Sequence, residues 1–337
     1  MNTLMESLNT PFLGHATWLW LMFMSIVVVL LALDLGVLHR KEREIGIRES
    51  LWLSGGYISV ALIFGAWVWW HLGAQSGMEY LTGFVIEKSL SMDNVFVIAL
   101  IFGYFAVPRE YQHRVLFWGI IGAIVFRAIF ISAGAAVVNS WTWILYIFAA
   151  FLIFTGWKML RGHGQEMKLE GNAFLAFVRR RIRVSDTIEN HNFFVRRPHP
   201  STGKLVLFAT PLFLALIMVE AADIVFAVDS VPAIFAVTRD PFIVYTSNIF
   251  AILGLRSMYF MLAAAVERFK YLKYGLSLVL ILIGVKIVWN FGLAKELGWV
   301  PYLEPHWSLV ITLGLLGGSI AYSLWRTRGA NQREKQA

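Results

Sequence analysis

Two acidic stretches sit where a long apolar chain tolerates charge least. Glu87-Lys88-Ser89-Leu90-Ser91-Met92-Asp93-Asn94 lies within one apolar run, and Glu220 through Ser230, holding Asp223 and Asp229, lies within another. A charged side chain at a bilayer centre costs roughly 2.5–3.5 kcal/mol on insertion scales. Five carboxylates at that depth must be paired, hydrated or bound to a cation. Oxygen donors from Glu87, Asp93, Asn94, Glu220, Asp223 and Asp229 form a set that suits hard divalent ions, Mg2+, Ca2+ and Mn2+. Ser230 is a further possible ligand. Met92 and Met218 stand beside the acids, and a thioether at Met92 biases a site toward Mn2+. Core packing is the ordinary reading of both methionines, ahead of ligation.

The spacing of the acids says how they can meet. In a straight helix, Glu87 and Asp93 stand about 9 Å apart along the axis and on different faces, as do Asp223 and Asp229. Glu220 and Asp223, three apart, share a face. Pro232 follows Asp229 by three residues and removes a backbone donor, which predicts a broken helix there. A broken helix would expose carbonyls to a cation. Five bases fall within the same runs: Lys88, Arg127, Lys158, Arg256 and Lys286. They admit two readings. Either acids and bases form structural ion pairs, or the bases balance a cation site when it is empty. Asn94 and Ser230 serve as well for interhelical hydrogen bonding as for ligation.

The elements that must carry these residues are transmembrane helices. The chain has 337 residues, 58% of them apolar and only 15% charged, with a mean hydropathy of +0.65. About 20 apolar residues cross the hydrocarbon core as a helix. Nine spans are predicted, at 16–38, 51–71, 80–104, 115–137, 141–160, 211–237, 241–263, 272–290 and 307–325. The helix of the sixth starts at Pro211, because proline fits a first helical turn. Orientation follows from the basic residues. With the N-terminus outside and the C-terminus inside, 22 of the 29 Lys and Arg lie in inner segments and only Arg239 and Lys295 lie outside. The net charge of +8 is thus a matter of topology rather than of nucleic-acid binding. Trp67, Trp69, Trp70, Trp141, Trp143, Trp299 and Trp307 fall at the outer ends, as an aromatic belt would. Asp34 falls near the inner interface. The first apolar run lacks the basic start and cleavage site of a signal peptide.

An internal repeat is visible. Glu87-x5-Asp93-Asn94-Val95 matches Asp223-x5-Asp229-Ser230-Val231. Each is followed by a span with one arginine, Arg127 or Arg256, and then by Gly156-Trp157-Lys158 or Gly284-Val285-Lys286. Three spans per copy is an odd number, so the copies run in opposite directions through the membrane. Inverted repeats with a site between them are a transporter signature. The expected fold is all-α and polytopic. Two peripheral helices (1–78) precede repeat 1 (79–160), a basic loop (161–210), repeat 2 (211–290) and a last helix with a basic tail (291–337).

Some chemistry is excluded. The chain has no cysteine, so it carries no disulfide, thiol couple or thiolate site of its own. Its eight histidines fall at span ends or in loops. No nucleophile–base arrangement, phosphate loop or dinucleotide fingerprint is present, so no enzyme and no prosthetic group is expected. Arg179-Arg180-Arg181-Ile182-Arg183 suits anionic lipid head groups at the inner leaflet.

At four of these places the chain resembles the TerC family, and most of all its Alx-like branch. The carrying segments are Glu87 to Phe96, Asp186 to Arg196, Glu220 to Ala236 and Thr246 to Arg256. The resemblance implies a bacterial inner-membrane protein that exports Mn2+, with Glu87, Asp93, Glu220, Asp223 and Asp229 as the functional acids. It also carries older labels, tellurite resistance and a membrane-bound redox modulator. The loop around His191 matches less well, and no role is transferred to it. The leading expectation is a nine-span transporter of a divalent ion. A redox modulator and a non-transporting scaffold are the alternatives. The coupling ion and the oligomeric state are left open.

Overall fold

The computed structural model describes residues 9–36, 47–141, 143–161, 173–185, 187–188, 191–198, 204–263 and 272–334. Within them, the side chains of Asp34, Asp93 and Asp229 lie outside the description. A small hairpin, β1 (Pro11–Phe12) and β2 (His15–Ala16), leads into α1 (Thr17–Gly36). Then follow α2 (Ile47–Leu72), α3 (Ala74–Tyr104), α4 (Arg109–Ser140) and α5 (Ile144–Leu160). The second half holds α6 (Ala173–Arg181), the strands β3 (Phe194–Pro198) and β4 (Leu205–Ala209), α7 (Pro211–Val237), α8 (Pro241–Leu253) and α9 (Leu255–Ala263). It closes with α10 (Leu272–Ile287), a π-helical extension (Val288–Glu296) and α11 (Pro305–Glu334).

Helix lies in each of the nine apolar ranges. Five helical stretches are long and apolar enough to cross a membrane: Arg48–Leu72, Arg109–Val138, Pro211–Val237, Lys273–Glu296 and Pro305–Arg326. Thr17–Leu33 and Ile144–Leu160 are shorter apolar helices. The other two ranges are exceptions for physical reasons. α3 is 31 residues long but carries Glu87, Lys88 and Asp93 together. The range 241–263 is divided at Gly254 into α8 and α9.

Helix ends follow local chemistry. Pro211 and Pro241 open α7 and α8 in first-turn positions that need no donor. Asp240 caps α8, its Oδ1 accepting from the Phe242 N–H at 2.9 Å. Gly73 supplies a φ of +97° at the corner between α2 and α3.

Two expectations need correction. The break anticipated at Pro232 is absent, and α7 runs unbroken from Pro211 to Val237. A proline deletes one donor, and the helices packed against α7, among them α3, α4 and α5, hold it together. The discontinuity is instead at Gly254. In addition, the segment 161–210 is more than a solvated loop. α6 buries Leu175 and Val178 in the same apolar cluster as Val95, Val115 and Leu212. β3 and β4 pair antiparallel from Phe194 opposite Ala209 to Pro198 opposite Leu205.

Packing places α3 against α7 and α8, and α4 against α7, α8 and α9. α2 lies on the outside of α3, where Tyr80 donates to the Ala61 carbonyl at 3.0 Å. The closest helix pair is α5 with α10. A Cβ on Gly156 would fall 2.6 Å from the Ser277 carbonyl oxygen and 2.8 Å from Ile281 Cγ1. A Cβ on Gly284 would fall 2.8 Å from the Ala149 carbonyl oxygen and 2.7 Å from Ile153 Cγ1. Each glycine meets the residues seven and three positions before the other, so the contact is antiparallel and reads the same from both sides. Three large apolar clusters and a small one around Ile120, Ala123 and Ile252 make the core of the described residues. Met92 packs against two of them, one built on the first half of α7 and one on its second half.

Candidate cation site

The site is built from four helices that meet at one guanidinium. Arg127, on α4, is 2% exposed and pairs with Glu87 of α3, also 2% exposed. Its Nη1 donates to Ser230 Oγ of α7 at 3.0 Å and to Asn248 Oδ1 of α8 at 3.1 Å. Asn248 is oriented by its own Nδ2, which donates to the Val244 carbonyl at 2.9 Å. Tyr245, one residue past Val244, donates to the Ala128 carbonyl of α4 at 2.8 Å. Helices from before and after the basic segment are thereby tied together at mid-span.

The second acidic stretch faces the same place. Asp223 is 5% exposed and lies within electrostatic reach of both Arg127 and Glu87. Glu220, one turn earlier, interacts in turn with Asp223. Its carboxylate lies directly over Gly122 of α4. A Cβ there would stand 1.9 Å from one carboxylate oxygen and 2.3 Å from the other. Glycine at 122 is what lets the carboxylate reach the α4 backbone. Among the described residues, Glu220 Oε2 and Ser91 Oγ are buried without a hydrogen-bond partner. Buried polar atoms of this kind mark places where an oxygen donor is open to a ligand.

Of the residues singled out by sequence, Glu87, Arg127, Asp223 and Ser230 come together, with Glu220 beside them. Asn94 is buried at 2% on α3. The side chains of Asp93 and Asp229 lie outside the described residues, though both positions belong to the helices that carry Glu87 and Asp223. Met92 is half-buried between two apolar clusters, and Met218 packs in one of them. Among the described residues, no three His, Asp or Glu side chains form a group able to hold a metal ion.

The bases divide. Arg127 pairs with an acid, Glu87. Lys88 does not pair with a carboxylate among the described residues. Its ammonium donates to the Ala251 carbonyl at 3.0 Å, where α8 ends, in the space beside Gly254. A cation there satisfies a terminal carbonyl and complements the helix dipole. Arg256 is buried at 3% in the first turn of α9. Lys286 is buried too, but its charge neighbour is Glu79, at the start of α3. Lys158 is exposed in the last turn of α5, so it does not balance buried acids. Its long stem allows the ammonium to reach the interface.

Asn248 is the participant that sequence reasoning missed. The signal was present: Thr246, Ser247 and Asn248 are three polar residues in succession, all fully buried in an apolar helix. Thr246 and Ser247 return their hydroxyls to backbone carbonyls one turn back, at 2.7 Å each. Only Asn248 reaches out of its own helix.

Several apolar helices long enough to cross a bilayer, packed around buried charge, define a polytopic integral membrane protein. The family model described as "Integral membrane protein TerC family" matches residues 72–331, and the chain belongs to that family. It is similar to an uncharacterized membrane protein of Myxococcus xanthus, with 48% identity over 95% of this chain and 96% of that one. It is also similar to the putative membrane-bound redox modulator Alx of Escherichia coli, with 44% identity over 87% of this chain and 92% of that one. An uncharacterized membrane protein of Rickettsia bellii is 44% identical over 88% of this chain and 94% of its own. No solved structure matches.

Proposed function

We propose that this protein is a divalent-cation transporter of the bacterial inner membrane that exports Mn2+. The observation that carries the reading is the Arg127 node, where one guanidinium holds Glu87 together with Ser230 and Asn248. A buried acid costs far less when paired than when left alone, so the pair holds Glu87 while the site is empty. An incoming divalent ion competes with the guanidinium for Glu87 and recruits Asp223 and Glu220 from α7, with Asp93, Asp229 and Asn94 as further oxygen donors. The donor set is hard and suits Mn2+, Mg2+ and Ca2+.

Nine spans with the N-terminus outside, arranged as two inverted repeats, fit this mechanism. The reciprocal glycine contact between α5 and α10 supports the repeat, since the two Gly-x-Lys motifs meet each other in the same way. So does the crossed packing of α3 on α8 and of α4 on α7. Rocking one repeat against the other would open the site to either side. The π-helical extension and the Gly254 break give the second repeat local adjustments.

The test is flux. Purified protein in sealed vesicles should move Mn2+ down a gradient, read by a trapped metal-sensitive dye. Glu87→Gln made together with Arg127→Gln, so that no buried charge is left unpaired, Asp93→Asn and Asp229→Asn should each stop the flux while the protein stays folded and inserted. Normal flux in all three would defeat the proposal. The name of the Alx relative, a putative membrane-bound redox modulator, favours a second reading, redox modulation. A chain with no cysteine that alters the redox state of a partner or quinone pool, without moving metal, would support that reading instead.

A further inference from the structure

We infer that the pocket between α6, residues 182–185 and the first turn of α7 is a binding site for the head group of one anionic phospholipid. This does not depend on the transport reading. The cavity measures about 600 Å3 and is lined by Arg179, Arg180, Arg181, Arg183, Ser185 and Leu214, among others. Four arginines line it and, among the described residues, no carboxylate does. Among the described residues none of the four is paired with an acid, and Arg181 has only the Phe177 ring, 5.3 Å away. Asp186 and Glu189, close in sequence, lie outside the described residues. Four like charges around one cavity repel one another and create a field that an anion relieves. Arginine presents a planar fork that fits phosphate oxygens two at a time. α7 begins beside them with no side chain capping its first turn, so its positive dipole end adds to the field.

The surroundings choose a lipid over a soluble phosphate. α6 buries Leu175 and Val178 against the bundle but leaves Phe174 and Phe177 exposed beside the arginines. The hairpin next to it exposes Phe194, Leu205 and Leu207. A short helix with arginines and outward aromatics, lying on a membrane bundle, has the make-up of an interfacial helix. A soluble anion gains nothing from those rings, whereas acyl chains do.

The pocket is also wired to the acidic helix. The Ala209 N–H donates to the Arg183 carbonyl and the Ser185 N–H donates to the Ala209 carbonyl, both at 2.8 Å. Ala209 stands two residues before Pro211, and Leu214 of the pocket stands six before Glu220. A bound head group therefore braces the end of the helix that carries Glu220 and Asp223.

Purified full-length protein in a neutral detergent provides the test. Adding phosphatidylglycerol should raise the melting temperature saturably, and native mass spectrometry should retain one such lipid per chain. Phosphatidylcholine and inorganic phosphate should do neither. Arg180→Gln with Arg183→Gln should abolish both effects. Arg180→Lys with Arg183→Lys keeps the charge and serves if the Gln pair fails to fold; losing the fork, it should weaken binding several-fold. Phe174→Ser with Phe177→Ser should weaken lipid binding as well. If inorganic phosphate stabilises equally and the Phe variants change nothing, the site is for a soluble anion and the proposal falls. Phosphatidylglycerol shifts that survive in both arginine pairs would place lipid binding elsewhere and also overturn it.

Discussion

Arg127 is the residue on which the interior depends most. Its partners come from three other helices, and its charge is compensated chiefly by Glu87. Removing one member of a buried pair leaves an uncompensated charge and typically costs about 3–5 kcal/mol. Arg127→Gln alone should therefore lower the melting temperature sharply. Glu87→Gln with Arg127→Gln removes both charges at nearly constant volume and should recover much of that loss. Thermal melts of the three proteins in detergent check this, and a double variant as damaged as the single one would show that the pair is not the governing interaction. Gly122 offers a second test at the same scale. Alanine there collides with the Glu220 carboxylate, while at Gly119 the nearest atom is Val219 Cγ1 at 3.3 Å. Gly122→Ala should slow metal flux strongly and cost about 1–3 kcal/mol by overpacking. Gly119→Ala should leave flux close to normal.

At the scale of elements, two features shape the bundle. The first is the interruption of 241–263 at Gly254, where Lys88 occupies the end of α8. A Cβ at 254 would stand 2.8 Å from the ammonium, so a larger residue there would displace the end of the Lys88 side chain. The second is the mutual approach of α5 and α10. Gly156→Ala and Gly284→Ala each push a methyl group against backbone atoms, so both should destabilise, by about 1–3 kcal/mol and by similar amounts. Gly317→Ala, on α11 with open space around it, should be neutral or slightly stabilising. Unequal losses at 156 and 284 would argue against their equivalence. The missed break and the misplaced one share a cause. Proline signals a lost donor in any sequence, whereas the effect of a glycine depends on what packs beside it.

For the whole molecule the open issue is how the helices cross the bilayer. The proposed topology puts 75 and 302 outside and 187 inside. The absence of native cysteine makes single-cysteine labelling direct. Gln75→Cys and Tyr302→Cys, both at exposed positions, should react with an impermeant thiol reagent in intact cells. Thr187→Cys, also exposed, should react only after permeabilisation. Outside labelling at 187 would overturn the nine-span arrangement. Gly77 is a poor choice for the outer probe, since a Cβ there would stand 2.6 Å from Trp69 Cβ. His15 ties the N-terminal hairpin to the start of α8, its Nε2 lying 2.8 Å from Asp240 Oδ2. The N-terminus and the second half of the chain are thus joined on one side.

Hydropathy and charge placement were enough to expect helix in each apolar range and to mark Glu87 and Asp223 as acids within those helices, because burial in lipid restricts composition along the chain itself. They also marked Arg127 as a balancing charge, since a lone arginine in an apolar span must find an anion. What they left undecided was pairing. Arg127 and Arg256 occupy matching places in the proposed repeat, yet it is Arg127 that pairs with Glu87. Lys88 goes to a helix end, Lys286 faces Glu79, and Lys158 points outward. Asn248 and Gly122 enter the site only because α4, α7 and α8 converge there. The identity of a buried charge's partner is set by distances between helices remote in sequence, which no local pattern encodes. Tertiary packing alone decided which acid meets which base.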